Sequence, residues 1–227
     1  MTVSARREFG EGPLSRITAF VYTVLAVEGL LLVSIAPGYA LLMLLDRDAG
    51  NLPLAALCAL PIGPAVAAAL YALHHRRGDV TDLRPAAAYW RGFRANAGGV
   101  LRWWTPLLAW LTVVGVIVTH RAAAGVPIWW AGLLLALAAI AVAWSVNALV
   151  ITSLFAFRVR DVARLSAYHL IKSWRGTLSQ LSLLVLALGV TIFFSEAALA
   201  LTASLFVLGL LRASRAMTDE IREEFTE

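Results

Sequence analysis

Glu28 stands well inside a long apolar run and is the best single pointer in the chain to chemistry. An acidic side chain deep in a membrane helix costs roughly 2.5–3.5 kcal/mol on insertion scales and usually faces the interior of a bundle. The chemistry open to it is reversible binding of a proton or cation; the plainer reading is a carboxyl group hydrogen-bonded between helices. Asn147, in a later apolar run, is by type an interhelical hydrogen-bonding group before it is a ligand group. Glu196, next to Phe193-Phe194-Ser195, reads as a solvated turn residue. Arg91, Arg94 and Arg175 offer something else, guanidinium groups for anionic headgroups or for an acidic patch on a partner.

Other chemistries find no support. His74, His75, His120 and His169 fall in loops or at span ends, without a partner at metal-ligand spacing. Adjacent histidines do not face one another on a helix. Asp79 and Asp82 lie beside Arg76, Arg77 and Arg84 and read as a neutralising loop rather than a magnesium site. No phosphate-binding loop, H-E-x-x-H or G-x-S-x-G occurs. The single cysteine, Cys58, excludes an intramolecular disulfide. The sequence therefore implies no cofactor, no metal and no enzyme.

The elements that position these residues are set by composition. Of the 227 residues, 60% are hydrophobic and 15% charged, and the mean hydropathy is +0.79. Soluble domains carry roughly 25% charged residues, so the solvent expected here is a bilayer. A net charge of +5 does not imply nucleic acid, because the arginines sit in short loops between apolar runs.

Six spans are expected, at 17–45, 52–73, 101–119, 127–155, 177–194 and 196–211. The first is too long for the apolar core of a signal peptide and reads as an uncleaved helix. The second contains Pro61 and Pro64, which remove two backbone donors and should loosen it where it faces protein. The loop from His74 to Arg102 should form an interfacial helix with Trp90, Phe93, Ala97 and Val100 on one stripe and Asp82 as its N-cap. Trp103-Trp104 and Trp129-Trp130 are expected to anchor spans three and four at the interface. A second basic interfacial helix is expected in Arg158–Arg175, with Ala163, Ala167, Leu170 and Trp174 on its apolar stripe. The apolar stretch from Thr177 to Leu211 is too long for one ordinary span and is read as a hairpin turning near Ser195, with one long helix or a re-entrant pair as the alternatives. The remaining tail, from Arg212, is of mixed charge and ends acidic.

Six spans place all but Arg47 and Arg121 of the 19 Lys and Arg on one side. By the positive-inside rule that side is cytoplasmic and holds both termini. Trp90-Arg91-Gly92 recurs as Trp174-Arg175-Gly176, each between a span and a following span, which suggests a duplicated two-helix unit. Such repeats occur in transporters but do not by themselves imply transport.

Pro61, Gly63-Pro64-Ala65, Ala69-Leu70-Tyr71 and then Trp90, Phe93 and Asn96 before the third span carry a family resemblance. The chain resembles the YesL-like family of bacterial integral membrane proteins of unknown function, most closely between Leu57 and Trp104. The resemblance implies a small helical membrane protein often encoded near carbohydrate uptake systems. The expectation is thus an all-α protein of the cytoplasmic membrane, a non-enzymatic accessory of a process such as carbohydrate import. Its partners would be the bilayer, anionic headgroups and possible uptake subunits. The alternative is a small-solute transporter or channel with Glu28 and Asn147 lining its path; an enzyme acting on lipid-linked substrates ranks last.

Overall fold

The computed structural model describes residues 13–46, 48–76, 84–123, 125 and 127–225, and no strand occurs among them. Arg6, Arg7, Arg47, Arg77, Asp79 and Asp82 lie outside the described residues, including the cap expected of Asp82. Helix α1 runs over Pro13–Met43. A short 3-10 turn, Ala49–Asn51, leads into α2, Leu52–Cys58. After a break at Ala59–Pro61, helix α3 covers Ile62–His74. The break falls where the prolines predict it, because Pro61 and Pro64 cannot donate to carbonyls one turn back. Protein closes the gap: the Trp104 indole N–H donates to the Ala59 carbonyl at 3.3 Å. Gly38 brings the α1 backbone against the Cys58 carbonyl so closely that no side chain would fit.

Helix α3 is the centre of the bundle, packed against α1, α4, α5 and α9. Ala65, Ala67, Ala68, Ala69 and Leu70 are fully buried. Small residues suit that position, since helices in lipid associate by close van der Waals packing rather than by hydrophobic exclusion from water.

Helix α4, Pro85–Thr119, is 35 residues long and continuous. The separate interfacial helix expected before the third span is instead the amino-terminal half of this one helix. The reason is a single buried stripe that runs through the expected boundary: Tyr89, Gly92, Val100, Trp103 and Leu107 all face the core. The stripe expected on Trp90 is displaced, and Trp90 itself is 42% exposed. At about 1.5 Å per residue α4 spans roughly 52 Å, well beyond the roughly 30 Å hydrocarbon core, so one end projects. Trp103 and Trp104 are not interface anchors either. Trp103 is buried edge-on against Trp144, with centroids 5.6 Å apart, and Trp104 lies over Gly63. Trp129 and Trp130, at the start of α5 (Ile128–Leu154), are exposed.

Helix α6, Val159–Lys172, is the second basic amphipathic helix. Its buried residues are Val162, Ser166 and His169, one position off the expected Ala163 and Ala167 stripe. Helix α7, Trp174–Phe193, buries only Gln180. The chain reverses at Phe194–Ser195, as expected, and Ser195 Oγ accepts from the Ala198 amide at 3.1 Å. The return limb is interrupted, with α8 at Glu196–Ala200 and α9 at Ala203–Ala213. It lies antiparallel to α7, since Gly209 faces Leu183 and Ser214 meets Gln180. Among the described residues, five segments are therefore long and apolar enough to cross a membrane: 14–43, 49–74, 85–119, 128–154 and 174–193. The tail folds into α10, Arg215–Phe225, which buries Met217 and Ile221.

Candidate functional site

Two polar ties, two clefts and one ion-pair cluster are the places where chemistry could reside. The first tie starts at Glu28, 7% exposed in the middle of α1. Its Oε2 accepts from the Ser204 backbone amide at 2.6 Å. Ser204 lies in the first turn of α9, where amides have no partner within the helix and the helix dipole favours an anion. On the other side of the break, Thr202 Oγ1 donates back to the Ala198 carbonyl at 2.8 Å. Glu28 therefore compensates an interruption in the return limb. Its second oxygen, Oε1, is buried without a hydrogen-bond partner.

The second tie is built on Asn147 of α5, 2% exposed. Its Oδ1 accepts from Gln180 Nε2 of α7 at 3.0 Å, and Nδ2 donates to the Ser166 carbonyl of α6 at 3.4 Å. Gln180 Nε2 also donates to Ser214 Oγ at 2.9 Å. Four elements meet at two amides. Gln180 is a residue the sequence reading missed; the signal that marks it is that it is the one amide in the fifth apolar run. Glu28 and Asn147 each belong to a different tie, and no hydrogen bond joins them.

Glu196 caps neither tie. It is exposed near the reversal, with Tyr39 Oη donating to Oε2 at 3.5 Å. It lines a cleft of about 690 Å³ with Asp46, Asp48, Asn51 and Thr119. This acidic cleft lies at the end of α4 opposite the basic loops.

At the basic end, Arg91 lines a second cleft, about 530 Å³, with Thr23, Tyr71, His75, Arg76 and Arg84. Arg94 and Arg175 do not join it. Arg94 is exposed on α4, and the Arg175 guanidinium lies over the Trp174 ring, 5.5 Å from its centroid. Of the three arginines grouped by the sequence, the cleft takes Arg91 alone, although Arg94 is its neighbour one turn on along α4.

Also at the basic end, α10 is fastened to α6 by an ion pair between Lys172 and Glu220, with Glu224 at 3.9 Å from Lys172 Nζ. The hydrogen bond from Lys172 holds the Glu220 carboxyl below the usual carboxylate range. His169 is buried beneath this pair, its Nδ1 3.8 Å from Glu220. Burial pushes the His169 imidazole down, against the opposing pull of Glu220. The sequence placed His169 in a loop, yet its spacing from Val162 and Ser166 marks it as part of the buried face of α6.

No protein-family model, curated protein or solved structure matches the chain.

Proposed function

We propose that the chain crosses the cytoplasmic membrane six times with both termini cytoplasmic, and serves as a non-enzymatic accessory of a membrane process such as carbohydrate import. The observation that carries this reading is the fate of the intramembrane polar groups. One oxygen of Glu28 accepts from Ser204, Asn147 and Gln180 bond to each other, and Gln180 bonds to Ser214, so these groups act as interhelical ties. Six crossings are supported by the reversal at Phe194–Ser195 and the antiparallel return of α9, with α8 and α9 together forming the last crossing. The link to carbohydrate import rests on the YesL-like resemblance alone.

Purification of the chain from native membranes tests the accessory role. Integral membrane subunits should accompany it in fixed ratio; recovery of the chain by itself, with solute flux on reconstitution, overturns the reading. Topology is tested separately in a Cys58→Ala background. Ala122→Cys and Glu223→Cys should label from opposite faces of intact vesicles, and labelling from one face excludes six crossings.

One observation favours a second reading, a small-solute transporter with Glu28 in its path. Glu28 Oε1 is buried and unpartnered beside the break between α8 and α9, and transporters place ion sites at interrupted helices. Under that reading Glu28→Gln abolishes flux in proteoliposomes while the fold is retained.

A further inference from the structure

We propose that the cleft between α1, α3 and the amino-terminal part of α4 binds a phosphate-bearing anion. The argument starts from the elements that meet there. Helix α3 ends at His74, placing Tyr71, His75 and Arg76 on one wall. Arg84, the residue before α4 and already engaged within the protein, and Arg91, in the second turn of α4, form another wall, and Thr23 of α1 closes the third side. The small side chains of Ala72, Ala87 and Ala88 leave the space open. At about 530 Å³ the cleft holds a headgroup-sized ligand, and no carboxylate is among its described lining residues.

Arg76 is the group with most to gain from an anion. Burial and the nearby guanidinium groups of Arg212 and Arg215 all disfavour its charged form. Its guanidinium is held over the Phe20 ring, 4.9 Å from the centroid, a cation–π contact that positions the head without neutralising it. Guanidinium forks from more than one arginine lining the same cleft suit the oxygens of a tetrahedral phosphate better than those of a single planar carboxylate. The amino end of α4, brought to the cleft by Pro85, adds potential of the same sign. The cleft at the other end of the molecule, with Asp46, Asp48 and Glu196, carries the opposite charge.

The phosphate could come from an anionic lipid headgroup or from a soluble phosphate compound. Depth is compatible with a headgroup: at 1.5 Å per residue, Arg91 lies about 42 Å along α4 from Thr119, beyond a roughly 30 Å hydrocarbon core. The lipid source rests on the proposed membrane placement; the soluble source does not.

The test uses the full chain in phosphatidylcholine nanodiscs, titrated calorimetrically with inorganic phosphate and, separately, with dioctanoyl phosphatidic acid. Saturable binding of phosphatidic acid alone assigns a lipid headgroup, and binding of both probes assigns a soluble phosphate compound. Arg76→Gln and Arg91→Gln should each weaken binding by roughly tenfold or more, with a smaller loss in Arg91→Lys, which keeps the charge but not the fork. Arg94→Gln and Arg175→Gln should leave it unchanged. Arg91 is exposed, so Arg91→Gln decides the matter if Arg76→Gln does not fold. The proposal is overturned if neither probe binds, or if Arg94→Gln and Arg175→Gln weaken binding as much as the cleft variants. Failure of the topology test with phosphate binding intact removes the membrane placement and leaves the site standing.

Discussion

The Glu28 carboxylate and the Ser204 amide, 2.6 Å apart, join the first helix to the last apolar one. The contact explains how a glutamate is tolerated in the middle of an apolar helix. It also explains how the return limb is interrupted without leaving its first buried amide unpaired.

Replacing Glu28 by leucine should therefore cost more than replacing it by glutamine. Glutamine keeps an acceptor for the Ser204 amide, whereas leucine leaves a buried donor bare, at about 1–3 kcal/mol. Thermal unfolding in detergent should show a clearly larger loss for Glu28→Leu than for Glu28→Gln. Equal losses would mean that the hydrogen bond contributes nothing.

Asn147 and Gln180 should be energetically coupled. Single alanine substitutions and the double variant form a cycle, and the expected coupling is about 0.6 kcal/mol, reaching at most about 1.7 kcal/mol, the range found for such bonds in membranes. Additive losses would show that the two amides act independently.

Glycine positions should divide by their surroundings. At Gly92 a methyl group would press into the Tyr71 ring, and at Gly63 into the Trp104 ring. Alanine at either position should destabilise by about 1–3 kcal/mol through overpacking. Gly29 has open space around its Cβ position, so Gly29→Ala should be neutral or stabilising, because alanine favours helix by about 1 kcal/mol. Unfolding midpoints of the three variants provide the check.

Docking of α10 should weaken in acid, in two stages. The folded state disfavours the His169 cation through burial, so the stability tied to its neutral form is present above 6.5 and falls as pH drops through the lowered folded value. Glu220 is held below 4.5 by Lys172, so its contribution is present above that value and is lost only at lower pH still. Glu224, also near Lys172, leaves the direction unchanged. Hydrogen exchange across Arg215–Phe225 should accelerate as pH falls below 6.5 and again below 4.5, after correction for intrinsic rates. In Lys172→Gln it should be faster already at neutral pH.

The apolar helices long enough to cross a membrane, the proline break and the reversal at Ser195 were legible because each rests on local signals: run length, missing donors and an apolar stretch too long for one ordinary helix. The length of α4 was not legible. Trp103-Trp104 suggests a boundary at the interface, whereas Val100, Trp103 and Leu107 continue the buried stripe begun at Tyr89, and Trp103 packs edge-on against Trp144 of α5. An interface tryptophan and a core tryptophan look alike in sequence, and only the neighbouring helix distinguishes them. The same limit applied to polar groups. Glu28 and Asn147 were identifiable by type, but Ser204 contributes a backbone amide, which no residue type advertises. Arg94 is Arg91's neighbour one turn on along α4, but only Arg91 lines the cleft, and its association with Arg76 required the α3–α4 contact.

The contact between Glu28 and Ser204 also has a consequence in time. The two residues are 176 positions apart in the chain. At a synthesis rate of about 5–20 residues per second, Glu28 emerges roughly 9–35 s before its partner exists. Throughout that interval the first helix carries a buried-type carboxyl group whose final acceptor role is unfilled. The bundle cannot close on this contact until α9 has been made, so its completion waits on the last apolar segment of the chain.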